Sequence, residues 1–151
     1  MDQFDSKILM QLQEDAKQNT KQIAAKIGLS TTPTYERIKK LERTGVIKSY
    51  VAVLDRFKIE KEVFAYCQIT LSKHQKETLD QFEVKMNSFA EIMECHHVSG
   101  NFDFLLKVVA GNIIGFHEFI TEKLSVVDDI ATIHSVFVMK SAKDSGTYAV
   151  K

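Results

Sequence analysis

The chain holds only two cysteines, Cys67 and Cys95, in 151 residues. That is too few for the disulfide framework of a small secreted domain, and it fits a reducing, cytoplasmic compartment. Apolar runs are short: none approaches the length of a membrane-spanning helix, so no membrane partner is expected. The start lacks the basic residues and apolar stretch of a signal peptide, with Met1 followed by Asp2 and Asp5, and none is expected. Runs of proline, or of glycine and serine, are also missing, which argues against a long flexible linker. Nor does the chain carry a nucleophile motif, a paired-carboxylate site, a phosphate-binding loop or a zinc-ligand array. An enzyme is therefore not expected, and neither is a cofactor or a resident metal.

Net charge is missing too, since twenty Lys and Arg balance twenty Asp and Glu. The balance hides an asymmetry. Residues 1–50 hold nine basic and six acidic side chains, or +3, which leaves eleven against fourteen, or −3, in residues 51–151. One half is suited to approach phosphate and the other to different work. The apolar share of 44% is that of a globular protein, with room for one ordinary domain or two small ones.

The most informative stretch is residues 19–47, NTKQIAAKIGLSTTPTYERIKKLERTGVI. Asn19 and Gln22 have the spacing of a capping box, followed by apolar Ile23, Ala24 and Ile27 at helical intervals. Gly28 can end that helix in a left-handed conformation, and Leu29 drops into the core. Ser30 is an N-cap for a second helix that tolerates Pro33 in its first turn. Along it Thr34, Ile38 and Leu41 face inward with Tyr35 beside them, and Gly45 closes it. Thr32, Glu36, Lys39 and Arg43 line the opposite face, flanked by Arg37 and Lys40. A charged helical stripe is most often ordinary surface. The helix, Gly-Leu-Ser turn and second helix, however, make a helix-turn-helix. The hydroxyls of Ser30, Thr31 and Thr32, and of Thr34 if it is not wholly buried, then stand where base edges lie, and Arg37, Lys39, Lys40 and Arg43 stand behind them for phosphates of double-stranded DNA. A preceding helix over residues 2–15, with Phe4, Ile8, Leu9 and Leu12 as its stripe, completes a three-helix unit. Its core is small, so it is expected to lean on a partner or on the rest of the chain.

Residues 46–54 are β-rich and read as an exit strand from a first domain at 1–54. Polar residues 55–62 read as a linker. Residues 63–140 then alternate: a strand at 63–71, a helix with Leu79, Phe82, Met86 and Phe89, and strands at 91–98 and 102–110. A helix capped by Asn112, with Ile113, Phe116, Ile120 and Leu124, and a strand at 130–140 follow. The order β-α-β-β-α-β is that of a ferredoxin-like domain, which makes the whole chain α+β. Both helices would cover one face of the sheet. The other face carries Phe64 and Tyr66 with nothing in the chain to cover it, and a homodimer is expected through it. Residues 141–151 are expected to be a loosely held tail, with an edge strand at 148–150 as the other possibility.

A competing class is a metal-binding or enzymatic protein using Cys95, His96 and His97. On a strand Cys95 and His97 share one face and His96 points to the other, so the three cannot hold one ion without a bulge. Core cysteines and satisfied sheet histidines are the simpler reading.

Three segments resemble the Lrp/AsnC, or feast/famine, family of transcription regulators: DSKILMQLQEDAK, IGLSTTPTYERIKKLERTGVIKSYVAVLD and VSGNFDFLLKV. The resemblance implies dimers that assemble into tetramers, octamers or closed rings. It also implies operator binding by the N-terminal domain, and a small effector, usually an amino acid, bound between dimers. Ser99, Gly100, Asn101, Phe102 and Asp103 match the family's effector loop, where Gly100 would admit a close backbone approach and Asp103 would pair with an ammonium. Without the resemblance, Gly100 and Asn101 read as a hairpin turn. Members commonly carry two hydroxyl residues spaced by one on the last strand. Here those positions hold Ile133 and Ser135, with His134 between them, which removes one hydrogen-bond partner and favours a ligand with a hydrophobic side chain.

Overall fold

A computed structural model of the chain describes residues 1–144 and 146–150. Ser145 and Lys151, both inside the expected tail, lie outside the described residues. The chain packs as two units. One is Met1–Val53 together with the segment from Lys143, and the other is Leu54–Ala142.

In the first unit, α1 (Gln3–Glu14), α2 (Thr20–Ile27) and α3 (Thr31–Arg43) enclose Ile8, Leu9, Ile23, Ile27, Ile38 and Leu41. Local hydrogen bonds fix where each helix begins. The Asp2 carboxylate accepts from the amides of Phe4 and Asp5 at 2.9 and 3.0 Å, and Asp5 accepts from the Asp2 amide at 3.1 Å. Asn19 and Gln22 form the same reciprocal pair at 2.9 and 2.8 Å. Gly28 ends α2 at φ +75°, in the left-handed region where glycine has no side-chain penalty.

Residues 46–54 form no strand. After the left-handed Gly45 the Ile47 amide returns to the Leu41 carbonyl at 3.1 Å, and Val51 and Val53 stand exposed. β-branched side chains favour extended backbone, but a strand also needs a neighbour to pair with, and these residues have none among the described residues. The tail departs from expectation as well. Its described residues form no edge strand, and it is held on the first unit by Gln13 and by Val150.

In the second unit, β1 (Val63–Leu71), α4 (Lys76–Met86), β2 (Ile92–His97), β3 (Phe104–Ala110), α5 (Ile113–Glu118) and β4 (Ile130–Phe137) form an antiparallel sheet in the order β2-β3-β1-β4, with both helices on one face. The architecture is α+β, a three-helix helix-turn-helix followed by a ferredoxin-like βαββαβ fold. Cys67 lies opposite Leu106 on one side and Ser135 on the other. Ala65, Cys67, Ile69 and Leu71 therefore share the helix-covered face with Phe104, Leu106 and Val108. The second helix continues past Glu118 as one π-helical turn, Phe119–Leu124. Its wider spacing buries Phe119 and Leu124, while Ile113, expected in the stripe, is exposed.

Residues 55–62 are built into this unit as turns. Arg56 accepts the Lys61 amide on its carbonyl at 2.8 Å and donates to the Glu62 carbonyl at 2.6 Å. Its guanidinium lies 4.1 Å from the Phe57 ring centre and 5.9 Å from that of Phe64, and Lys107 approaches Phe64 from 5.3 Å. Phe64 is therefore buried, in contrast to the expectation that nothing in the chain covers it. Tyr66 stays half-buried and Val136 exposed on the same face.

Candidate nucleic-acid interface and ligand-binding loop

The first turn of α3 is open. Ser30 occupies the N-cap position but makes no side-chain cap hydrogen bond. The third helical position, which an N-cap hydroxyl ordinarily serves, is Pro33, and proline has no N–H to offer. The Ser30 hydroxyl thus remains available beside exposed Thr31 and Thr32. Lys40 and Arg43 are exposed farther along the same face, with no ion pair among the described residues.

Two expected members of this face are placed elsewhere. Thr34 is fully buried, and its hydroxyl donates to the Ser30 carbonyl at 2.9 Å, so it has no surface to present to a base. Arg37 points to the start of α1, where Nη1 lies 2.6 Å from Asp2 and 2.7 Å from Asp5. The Asp5 amide hydrogen bond, then Arg37, hold the Asp2 carboxyl below its ordinary range. Burial pushes Asp5 up, but the Asp2 amide and Arg37 outweigh it and the net direction is down. Arg37 is raised by the same two carboxylates. Lys39 is half-exposed and pairs with Glu42 at 2.7 Å, and the Tyr50 hydroxyl donates to Glu42 at 3.1 Å. Tyr35, read from the sequence as inward-facing, is 52% exposed beneath the Lys39 ammonium. One residue step on a helix turns the side chain by about 100°, which carries Tyr35 from the buried edge marked by Thr34 toward the outer face.

In the second unit residues 99–103 join β2 to β3. Gly100 adopts φ +137° with open space where a Cβ would stand, and Ser99 and Asn101 are exposed around it. Phe102 is half-buried. Asp103 is anchored in three ways. Its amide donates to Ile69, its carbonyl accepts from Val98, and its carboxylate accepts from the Leu71 amide at 2.7 Å. His74 Nε2 lies 3.0 Å from the same carboxylate. Ile69 pairs with Phe104 on one side and Ile133 on the other, so the loop and Ile133 occupy the same end of the sheet. Ile133 packs on the helix-covered core, and the Ser135 hydroxyl lies 3.4 Å from the Cys67 sulfur.

The cysteine and histidine cluster does not converge. Cys95 packs on the core, and burial, followed by the charge of Glu83, pushes its thiol up to about 11. His97 stacks on Phe104 with ring centres 4.8 Å apart, and His96 contacts Glu94 at 3.2 Å. No three His, Cys, Asp or Glu side chains among the described residues are placed to hold a metal. A thiol that favours its neutral form is a poor nucleophile and ligand, so the metal or enzyme reading is not favoured.

Comparison with known proteins decides between a generic helix-turn-helix and a particular one. A winged helix-turn-helix DNA-binding model matches residues 1–48, and the Lrp/AsnC ligand binding domain model matches residues 64–148. The chain belongs to the Lrp/AsnC family. It is similar to the leucine-responsive regulatory protein of Escherichia coli strain K12, at 31% identity over all of this chain and 92% of that protein. It is 34% identical to the proline dehydrogenase transcriptional activator of Rhizobium radiobacter, over 97% of this chain and 94% of that one. An AsnC family transcriptional regulator from Agrobacterium tumefaciens superposes with a TM-score of 0.93 at 36% identity, covering 98% of this chain and 96% of the other. This Lrp/AsnC member is accordingly a DNA-binding transcriptional regulator whose second unit is the family's ligand-binding domain. No helix among the described residues is long and apolar enough to cross a membrane.

Proposed function

We propose that this regulator works in the cytoplasm as a non-enzymatic homodimer that assembles further, to a tetramer or octamer, and binds operator DNA in response to an amino acid. The observation that carries the DNA-binding half is the open first turn of α3, with Ser30, Thr31 and Thr32 facing outward ahead of Lys40 and Arg43. Small hydroxyls at the leading turn suit base edges, and the cations behind them suit phosphate. Lys39 joins them once it leaves Glu42, and Tyr35 adds an aromatic edge to the same flank. Residues 1–54 act as the DNA-binding domain, and 63–140 as the oligomerisation and effector domain.

The effector half rests on the loop at 99–103 and on β4. An amino acid's ammonium meets Asp103, its backbone passes close to Gly100, and its side chain meets the apolar wall of Ile133 next to Ser135. An apolar side chain is the better match there, in keeping with the name of the leucine-responsive relatives. A thermal-shift screen of the twenty amino acids tests this half, because a ligand that binds only the native state raises the melting temperature. A rise with one or more apolar amino acids is expected. No shift with any of them would reject an amino-acid effector.

A further inference from the structure

Among its described residues, the segment beyond β4 is held on the first unit at defined points. The Gln13 side chain on α1 pairs with the main chain of Tyr148 in both directions: the Tyr148 amide donates to Gln13 Oε1 at 2.6 Å, and Gln13 Nε2 donates to the Tyr148 carbonyl at 3.0 Å. One side-chain amide thus pairs with both backbone groups of one residue, the service a neighbouring strand gives in a sheet. Two residues on, Val150 packs against the apolar cluster of the first unit, alongside Leu12, Leu29 and Ile47. The Tyr148 ring itself is 83% exposed, so the attachment runs through backbone and Val150 and not through the aromatic ring.

We propose that the surface of α1 around Gln13 is a docking site for the C-terminal segment of this same chain, and that this strap is a working part of the DNA-binding unit. The family's ligand-binding match runs through residue 148, whereas packing assigns the chain from Lys143 onward to the helix-turn-helix. A three-helix unit with a small core gains from one more apolar side chain packed on it, and the partly buried Val150 supplies it.

Hydrogen exchange in the full chain tests the docking, with β1 amides as an internal reference. Truncation after Ala142, Gln13→Ala and Val150→Asp should each speed exchange of the α1 amides near Gln13, by about tenfold for the truncation, and leave β1 unchanged. Tyr148→Ala should leave α1 as it is. Unchanged α1 exchange in the truncated chain, or an acceleration shared equally by β1, overturns the proposal. Cysteines at Gln13→Cys and Tyr148→Cys, in a Cys95→Ser background, identify the occupant when joined by a short bismaleimide. A product within one chain is expected, and one found only between two chains, or none, overturns it. Both readouts are independent of any effector, so they fail separately from the ligand reading.

Discussion

Arg37 on α3 and Asp5 on α1 meet at 2.7 Å, with Asp2 completing the pair from the helix cap at 2.6 Å. The two carboxylates that cap α1 thereby also fix the angle at which α3 is presented. Arg37→Ala should therefore destabilise the first unit more than Lys39→Ala does, because Lys39 pairs only within its own helix. Both Asp2 and Asp5 are lowered, so the stability they contribute is complete above the ordinary carboxylate pKa of about 4 and is lost as pH falls through the lowered values. Melting curves from pH 7 down to about pH 2 should show this acid loss in the wild-type chain and a weaker one in Arg37→Ala.

Glu42 accepts both the Lys39 ammonium and the Tyr50 hydroxyl. A carboxylate beside a phosphate-seeking lysine opposes DNA, so Glu42→Gln should tighten binding to duplex by a few-fold and steepen its salt dependence by about one unit. Titration of a fluorescent duplex at several salt concentrations measures both. Weaker binding would show that the Glu42 pair orients Lys39 for DNA instead of restraining it.

Asp103 has two separable duties. Asp103→Ala leaves the Leu71 amide without its acceptor and should cost about 1–3 kcal/mol of stability. Asp103→Asn keeps an oxygen for that amide and removes the charge. It should melt close to the wild type and lose the thermal shift caused by amino acids. An Asn variant that still responds normally would free Asp103 of any ligand role.

Val136 is exposed on the sheet face that also carries Phe64 and Tyr66. Val136→Asp would bury an unpaired carboxylate in a dimer formed through that face, so sedimentation should show a monomer. A dimer of unchanged affinity would place the interface elsewhere.

What was legible in the sequence was what is local. The Asn19 and Gln22 box, the glycine stops and the Asn112 cap involve residues within a few positions of one another, and the βαββαβ order follows from periodicity alone. Arg37 finds its acids 32 and 35 residues away, across a tertiary contact that a helical wheel does not contain. Thr34 is buried as its helical spacing implies and so offers nothing to a base, whereas Tyr35 turns outward because the edge of a buried stripe is only one helical step wide. The second stripe gains Phe119 at the π-helical turn, while Ile113, in the first turn of the helix, is exposed. Residues 46–54 have strand propensity but no strand to pair with among the described residues, and the tail reads as loose because Gln13, which holds it, lies 135 positions earlier.

On the proposed reading, α3 presents Lys40 and Arg43 to phosphate while Arg37 is kept for the fold. The slope of log affinity against log salt for duplex binding tests it most directly, compared among wild type, the double variant Lys40→Ala/Arg43→Ala, and Arg37→Ala. Each lost phosphate contact reduces the slope by about 0.9, so the double variant should fall by about 1.8 and Arg37→Ala should keep the wild-type slope. An unchanged slope in the double variant, or a reduced one in Arg37→Ala alone, would contradict the account.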